Sequence, residues 1–210
     1  MREEKRKHLN ISPLYWITNN VIKWAIEKYK EDPEGDFIKL RNIYKYHLIN
    51  EILNLLGNDL VLTLYQDNKL NNIYKEIMQP IIENFSKSYN MKLNFINNYY
   101  FNKYDMDIDV SYKLKKKLYM LNIWELIALN TICQWLNSCI LGIDLFDKKY
   151  NIKYVQNIAN IERNYQCKIW GISPQHKIDD KIEYLWLKSA ILLKSLCSPS
   201  RISIDRSTIN

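Results

Sequence analysis

The stretch NIWELIALNTICQWLNSCILGI, residues 122–143, is the most apolar segment of the chain. Its start matches a capping box, in which the side chains of Asn122 and Glu125 each accept a hydrogen bond from the other residue's backbone N–H. Apolar side chains then surround nearly the whole helical circumference: Trp124, Leu126, Ile127, Leu129, Ile132, Trp135, Leu136, Ile140 and Leu141. Because a helix that is apolar on all sides is buried, we expect one long helix at the centre of a bundle.

The rest of the chain is also helical in pattern. Only four glycines and five prolines occur in 210 residues, so few positions can stop a helix. Further helices are predicted at residues 13–32, 36–56, 70–89, 110–121, 153–170 and 174–197, with Pro80 kinking the third or starting a new helix. Residues 59–66 and 91–96 alternate in polarity and predict short extended connectors. The sequence therefore predicts an all-α bundle of about six to eight helices.

Three regions follow from this pattern. Residues 1–35 form an N-terminal tail and one helix, residues 36–197 form the main helical domain, and residues 198–210 have no periodicity and predict a flexible tail. No apolar run approaches the length of about 18 residues that a membrane span requires.

The composition leaves the class of partner open. The net charge is +7, and Asn, Ile, Lys and 16 Tyr are heavily used. A basic chain suits nucleic acid, an anionic membrane or an acidic partner, but an AT-rich genome gives the same bias. The run KLKKK, residues 113–117, lies between Tyr112 and Tyr119 and could contact phosphates or anionic lipid. A solvated helix face is the competing interpretation.

Motifs for catalysis or metal binding are not found. The four cysteines form no C-x-x-C pair, and the three histidines are distant from them in sequence, which argues against a zinc site. Three of the four cysteines lie in apolar helical runs, so we expect reduced core thiols and a reducing compartment. With four scattered glycines there is no phosphate-binding loop. We therefore expect neither an enzyme nor a cofactor.

The segment IERNYQCKIWGISPQ, residues 161–175, contains one of the four glycines directly after a tryptophan. We expect Gly171 to end a helix in the left-handed conformation, which glycine adopts at low cost. Pro174 would then begin the last helix. In this interpretation the ring of Trp170 packs over the corner between the two helices.

Residues 130–171 resemble the C-terminal region of the mitochondrial F1-ATPase assembly chaperones, the ATP synthase F1 complex assembly factor 2 family. That family carries a lysine-serine pair, an apolar run, and then a Leu-Glu-x-x-aromatic-Gln stretch closing in Trp-Gly. The matching positions here are Ser138 with the run to Leu145, then Ile161, Glu162, Tyr165, Gln166, Trp170 and Gly171. Upstream, Asp59 matches an aspartate-containing extended stretch, and Pro80 matches a Trp-Asp-Pro segment.

The resemblance runs from about residue 36 to 200 and has departures. Asn137 replaces the family's lysine, and Met78-Gln79 replaces its Trp-Asp. The family also begins with a β-rich domain. Residues 1–35 predict only a tail and a helix, so we expect that domain to be absent from this chain.

The resemblance implies a chaperone of the mitochondrial matrix that works without cofactor, metal or nucleic acid. It would act as a monomer, bind the unassembled F1 α subunit, and shield the surface that the β subunit later covers. The resemblance assigns client binding to Glu162, Arg163, Gln166 and Ser138. It assigns structural roles to Trp170, Gly171, Tyr165, Asp59 and Pro80. Glu162 is the leading candidate, because it lies on the polar side of its helix in a basic chain.

Two other interpretations stay open. The net charge and the KLKKK run suit a basic helical protein that binds RNA or a membrane surface without catalysis, with an affinity that falls steeply with salt. The chain could also be a helical remnant without retained activity.

Overall fold

The computed structural model describes residues 13–31, 37–65, 67–97 and 108–197, and the two predicted tails at residues 1–12 and 198–210 lie outside these ranges. The described residues confirm the all-α prediction. They form nine α-helices, which we number α1 (Pro13–Glu31), α2 (Phe37–Leu56), α3 (Asn68–Tyr89), α4 (Ile108–Met120), α5 (Ile123–Leu136), α6 (Cys139–Phe146), α7 (Ile152–Ala159), α8 (Ile161–Trp170) and α9 (Pro174–Cys197).

Helix α5 lies at the centre of the bundle, as its all-round apolar pattern predicts. It packs against α9, α6 and α2, and the predicted capping box of Asn122 and Glu125 begins it. Its buried side chains include Leu126, Leu129 and Ile132. Helix α1 packs against α9 and α5, and its Ile17 belongs to the same core. The boundary that we predicted after residue 35 stays a prediction.

The single helix predicted over residues 122–143 is in fact two helices. Asn137 takes the left-handed conformation, with φ 49° and ψ 36°, and ends α5. Ser138 then caps α6, because its Oγ accepts a hydrogen bond from the Leu141 backbone N–H at 3.0 Å. Asn and Ser both favour helix ends over a helix interior, and the Ile140 N–H at the start of α6 finds its acceptor in the distant carboxylate of Asp59, at 3.0 Å.

The helix predicted over residues 153–170 also divides, at Asn160. This residue ends α7 and begins α8 with φ −105° and ψ 19°, outside helical geometry. Its side-chain amide donates to the Gln156 carbonyl at 2.9 Å and to Glu183 Oε2 at 2.9 Å. Since Glu183 lies on α9, a partner distant in sequence holds the bend in place.

The two predicted extended connectors pair with each other. Leu60–Leu62 forms one 3₁₀ turn, and Thr63–Leu64 (β1) then pairs in parallel with Ile96–Asn97 (β2). The connector predicted at residues 59–66 therefore supplies one strand of a two-stranded sheet. Pro80 neither ends nor restarts α3, which runs through it from Asn68 to Tyr89. Pro80 is exposed, so water can solvate the carbonyl that its missing N–H leaves without a helical donor.

Candidate functional site

Helix α8 contributes no fully buried residue to the bundle. None of its ten residues is buried, and its last two, Ile169 and Trp170, are 57% and 77% exposed. Ile172, just beyond the helix, is 65% exposed. Single exposed apolar side chains are common on protein surfaces, but a contiguous group indicates a contact surface. The corner between α8 and α9 therefore presents apolar side chains to solvent.

This exposure corrects the expected position of Trp170, which does not pack over the corner. Gly171 has φ +87° and ψ 167°, so it has a positive φ but not the left-handed helical conformation that we predicted. Its backbone N–H donates to the Cys167 carbonyl at 2.9 Å, and the chain then leaves α8 in an extended conformation. Trp170 is consequently carried outwards at the end of α8.

Two polar side chains lie along α8 on the same side as Trp170. Glu162, Gln166 and Trp170 are spaced by four residues, so they lie on one side of the helix. Gln166 Nε2 donates to Glu162 Oε1 at 3.1 Å. We call the set Glu162, Gln166, Ile169, Trp170 and Ile172 the α8 face. It offers a carboxylate, an amide and an indole, together with the exposed isoleucines on either side of Trp170 in the sequence.

The N-terminal end of α8 lies over a pair of tyrosines. The rings of Tyr65 and Tyr74 meet edge to face, with centroids 5.1 Å apart. Burial, and then the nearby Glu162 charge, raise the pKa of Tyr65 to about 12. Glu162 also adds to the raised pKa of Tyr74, which comes mainly from burial. The Glu162 carboxylate therefore lies close enough to both tyrosines to affect their ionisation, while its own hydrogen bond with Gln166 is exposed to solvent.

Two further contacts hold α8 against the bundle. Tyr165 donates its hydroxyl to Asp67 Oδ2 at 3.4 Å, and Asp67 is the N-cap of α3. Arg163 forms an ion pair with Asp180 of α9. Of the residues that the resemblance assigned to client binding, Glu162, Arg163 and Gln166 are brought together on α8. Arg163 differs from the other two, since its guanidinium already has a partner within the chain.

Ser138, the fourth residue assigned to client binding, is fully buried where it caps α6. This burial corrects the assignment, because a buried cap cannot touch a partner while the fold is intact. Asp59, given a structural role, is fully buried beside it. Its carboxylate accepts from the backbone N–H groups of Val61 and Ile140, both at 3.0 Å. Burial raises its pKa to about 6 against the lowering effect of these hydrogen bonds.

One pair of residues at the corner was missed by the sequence reasoning. Cys167 Sγ lies 3.2 Å from His176 Nδ1, although the sequence predicts no contact between the histidines and the cysteines. Their separation of nine positions gave no motif, and the turn at Gly171 brings them together. Among the described residues, no group of three or more His, Cys, Asp or Glu is arranged to hold a metal ion. In the same ranges, no helix combines the length and apolarity of a membrane span.

No protein-family model matches the chain, and no curated protein matches it in sequence. Its fold is similar to that of Atp12 from Paracoccus denitrificans, with a TM-score of 0.66 at 16% identity over 76% of this chain and 68% of that chain. A point mutant of P. denitrificans Atp12p has a TM-score of 0.66 at 16% identity, over 88% of this chain and 71% of that chain. The Atu1473 protein of Agrobacterium tumefaciens has a TM-score of 0.69 at 13% identity, over 88% of this chain and 65% of that chain. These similarities show a shared fold.

Proposed function

We propose that this protein is a chaperone for assembly of the proton-transporting ATP synthase, and that it binds the unassembled F1 α subunit. The fold shared with Atp12 supports this proposal, as does the sequence resemblance to assembly factor 2 along most of the chain. The proposal places the protein in the mitochondrial matrix, as a monomer without catalysis or cofactor. It would keep the α subunit soluble until the β subunit joins.

The observation that carries the proposal is the α8 face. A holding chaperone needs a partly apolar, partly charged surface that stands in for a subunit interface. Trp170 supplies a large exposed ring at one end of the helix, and tryptophan is among the residues most often found at the energetic centre of interfaces. Glu162 and Gln166 supply hydrogen-bonding groups along the same side. Because no α8 residue is buried in the core, a client can cover this face without unfolding the bundle.

The test is co-expression of this chain with the F1 α subunit of the same organism. We expect the α subunit to become soluble and to co-purify with the chain, with no requirement for ATP hydrolysis. A double variant, Glu162→Lys with Trp170→Ala, should fold but no longer hold the client. If the α subunit still aggregates beside correctly folded wild-type chain, the proposal is wrong for this chain. If wild type and double variant hold the client equally well, the function stands but the α8 face does not carry it.

A further inference from the structure

One side of α4 combines cations with exposed tyrosines. Tyr112, Lys115, Lys116 and Tyr119 follow the spacing i, i+3, i+4, i+7 and therefore share one side of the helix. All four are exposed, and the tyrosines are 69% and 47% exposed. The opposite side buries Leu114 and Leu118 in the core. Helix α4 is thus anchored by leucines and presents lysines between two aromatic rings.

Helix α2 extends this surface. Lys45 Nζ donates to the Tyr119 backbone carbonyl at 2.6 Å, which joins the two helices at the end of α4. Arg41 lies one turn before Lys45, and its charge adds to burial in lowering the Lys45 pKa. Met120, the last residue of α4, is 81% exposed. We call this set the basic face: Arg41, Lys45, Tyr112, Lys115, Lys116, Tyr119 and Met120.

The charges of the basic face are largely uncompensated. Lys115 and Lys116 have no ion-pair partner among the residues that the structure describes. Lys117 on the same helix differs from these two lysines, because it pairs with Asp147 and also donates to the Tyr89 hydroxyl at 2.7 Å. Helix α4 contains one acidic residue, Asp109 in its first turn, and α2 contains one, Glu51, so residues 112–120 and 38–50 carry no Asp or Glu. Glu125, at the start of α5, adds a nearby acid that acts on Lys45.

We propose that the basic face binds the surface of a membrane that contains anionic phospholipid. Lysine and arginine attract an anionic lipid surface, and tyrosine is enriched at the level of the headgroups. The exposed thioether of Met120 would enter the boundary of the acyl chains, as the apolar side of an interfacial helix does. Single-stranded nucleic acid is the less suitable partner, since its binding sites combine a basic groove with aromatic platforms for successive bases. Here the two tyrosines are seven residues apart on the outside of a helix.

This inference does not rest on the chaperone proposal, because the basic face and the α8 face share no residue. The experiment is flotation of the full chain with vesicles of phosphatidylcholine alone, or of phosphatidylcholine and phosphatidylglycerol at about 7:3. We expect binding only to the anionic vesicles, and binding that weakens as salt is raised. The double variant Lys115→Glu with Lys116→Glu should weaken partitioning by about tenfold or more. Met120→Gln should weaken it less, without changing the salt dependence.

The matched control is Lys181→Glu with Lys188→Glu, which makes the same change in net charge on exposed positions of α9. It should bind anionic vesicles within about twofold of wild type, since these lysines lie outside the basic face. Thermal melts of all variants show whether each remains folded. The proposal is overturned if wild type does not float with anionic vesicles. It is also overturned if the control variant weakens binding as much as the α4 variant, or if the chain binds single-stranded RNA but not vesicles.

Discussion

The carboxylate of Asp59 accepts a hydrogen bond from the backbone N–H of Ile140, 81 positions further along the chain, at 3.0 Å. Its other oxygen accepts from the Val61 N–H, also at 3.0 Å. A buried carboxylate therefore joins the connector after α2 to the first turn of α6. The Leu60 N–H adds a bond to the Asn137 carbonyl at 3.1 Å. This junction fixes the point at which the central apolar segment breaks into two helices.

Replacing Asp59 by Ala should destabilise the protein by about 2–6 kcal/mol. The substitution leaves two buried backbone N–H groups without an acceptor, and each such loss costs about 1–3 kcal/mol. Urea unfolding followed by circular dichroism measures the change. Asp67→Ala is the control, because Asp67 caps α3 at an exposed position, where water can replace the cap. A loss at Asp59 no greater than that at Asp67 would show that the junction contributes little.

The stability of the protein should depend on the ionisation of Asp59. Its folded-state pKa of about 6 lies above the ordinary value of 3.8, so between these pH values the folded state binds the proton more strongly than the unfolded state. The contribution of Asp59 to stability is therefore greatest below about pH 4 and falls as the pH rises to 6. At about 1.4 kcal/mol per pKa unit, the total change is about 3 kcal/mol.

The variant Asp59→Asn isolates this effect. Burial also raises the pKa values of Asp144 and Glu183, but those groups are present in both proteins and cancel in the difference. The free energy of unfolding of wild type minus that of the variant, measured by urea unfolding at several pH values, should decrease from pH 4 to pH 6. A difference that is constant with pH, or that increases, contradicts the raised pKa.

Gly142→Ala should destabilise the protein by about 1–3 kcal/mol, the usual cost of overpacking a core. A Cβ at Gly142 would lie 2.4 Å from Cys133 Sγ and 3.1 Å from Cys133 Cα, so α5 and α6 would have to separate. Adding Cys133→Ala should recover part of the loss, because it removes the closest atom. Gly57→Ala is the control, since the nearest atom there is 3.5 Å away. If Gly142→Ala and Gly57→Ala unfold at the same urea concentration, the close approach is not rigid.

The fold class could be predicted because it depends on local signals. Few residues in this chain can stop a helix, which predicts a helical fold. Apolar side chains surround the predicted helix at residues 122–143, which predicts that this helix is buried at the centre of a bundle. The breaks at Asn137 and Asn160 could not be predicted in the same way. A single asparagine or serine is tolerated inside a helix, and the bonds that favour a break here come from Asp59 and Glu183, both far away in sequence.

The candidate site was predicted only in part for a related reason. Glu162 and Gln166 share a side of α8 because of helical spacing, which the sequence contains. The exposure of Trp170 and the burial of Ser138 are properties of tertiary packing. Tryptophan is usually well buried and serine is mostly exposed, so residue type alone predicts the opposite of the observed burial for both residues. The contact of Cys167 with His176 likewise depends on the turn at Gly171.

Trp170→Ala should leave stability almost unchanged, within about 0.5 kcal/mol, because surface substitutions rarely cost more. Trp186→Ala is the matched control, since Trp186 stacks on Trp135 with ring centroids 5.2 Å apart and is half-buried. Its loss should cost about 2 kcal/mol or more. Thermal melts of both variants check this, and a large drop for Trp170→Ala would show that its ring supports the corner. In pull-downs with the F1 α subunit, Trp170→Ala should retain less client than wild type.

Glu162→Lys should weaken client binding by about tenfold or more, while the free energy of unfolding changes by less than about 1 kcal/mol. The substitution reverses the charge at position 162 of the α8 face and removes the acceptor of the Gln166 amide. The matched control is Glu76→Lys, which makes the same change in net charge at an exposed position of α3. Titration of each purified variant against co-purified or refolded α subunit measures the affinity. If Glu76→Lys reduces the affinity as much as Glu162→Lys, the effect comes from overall charge, and Glu162 is an ordinary helix surface residue.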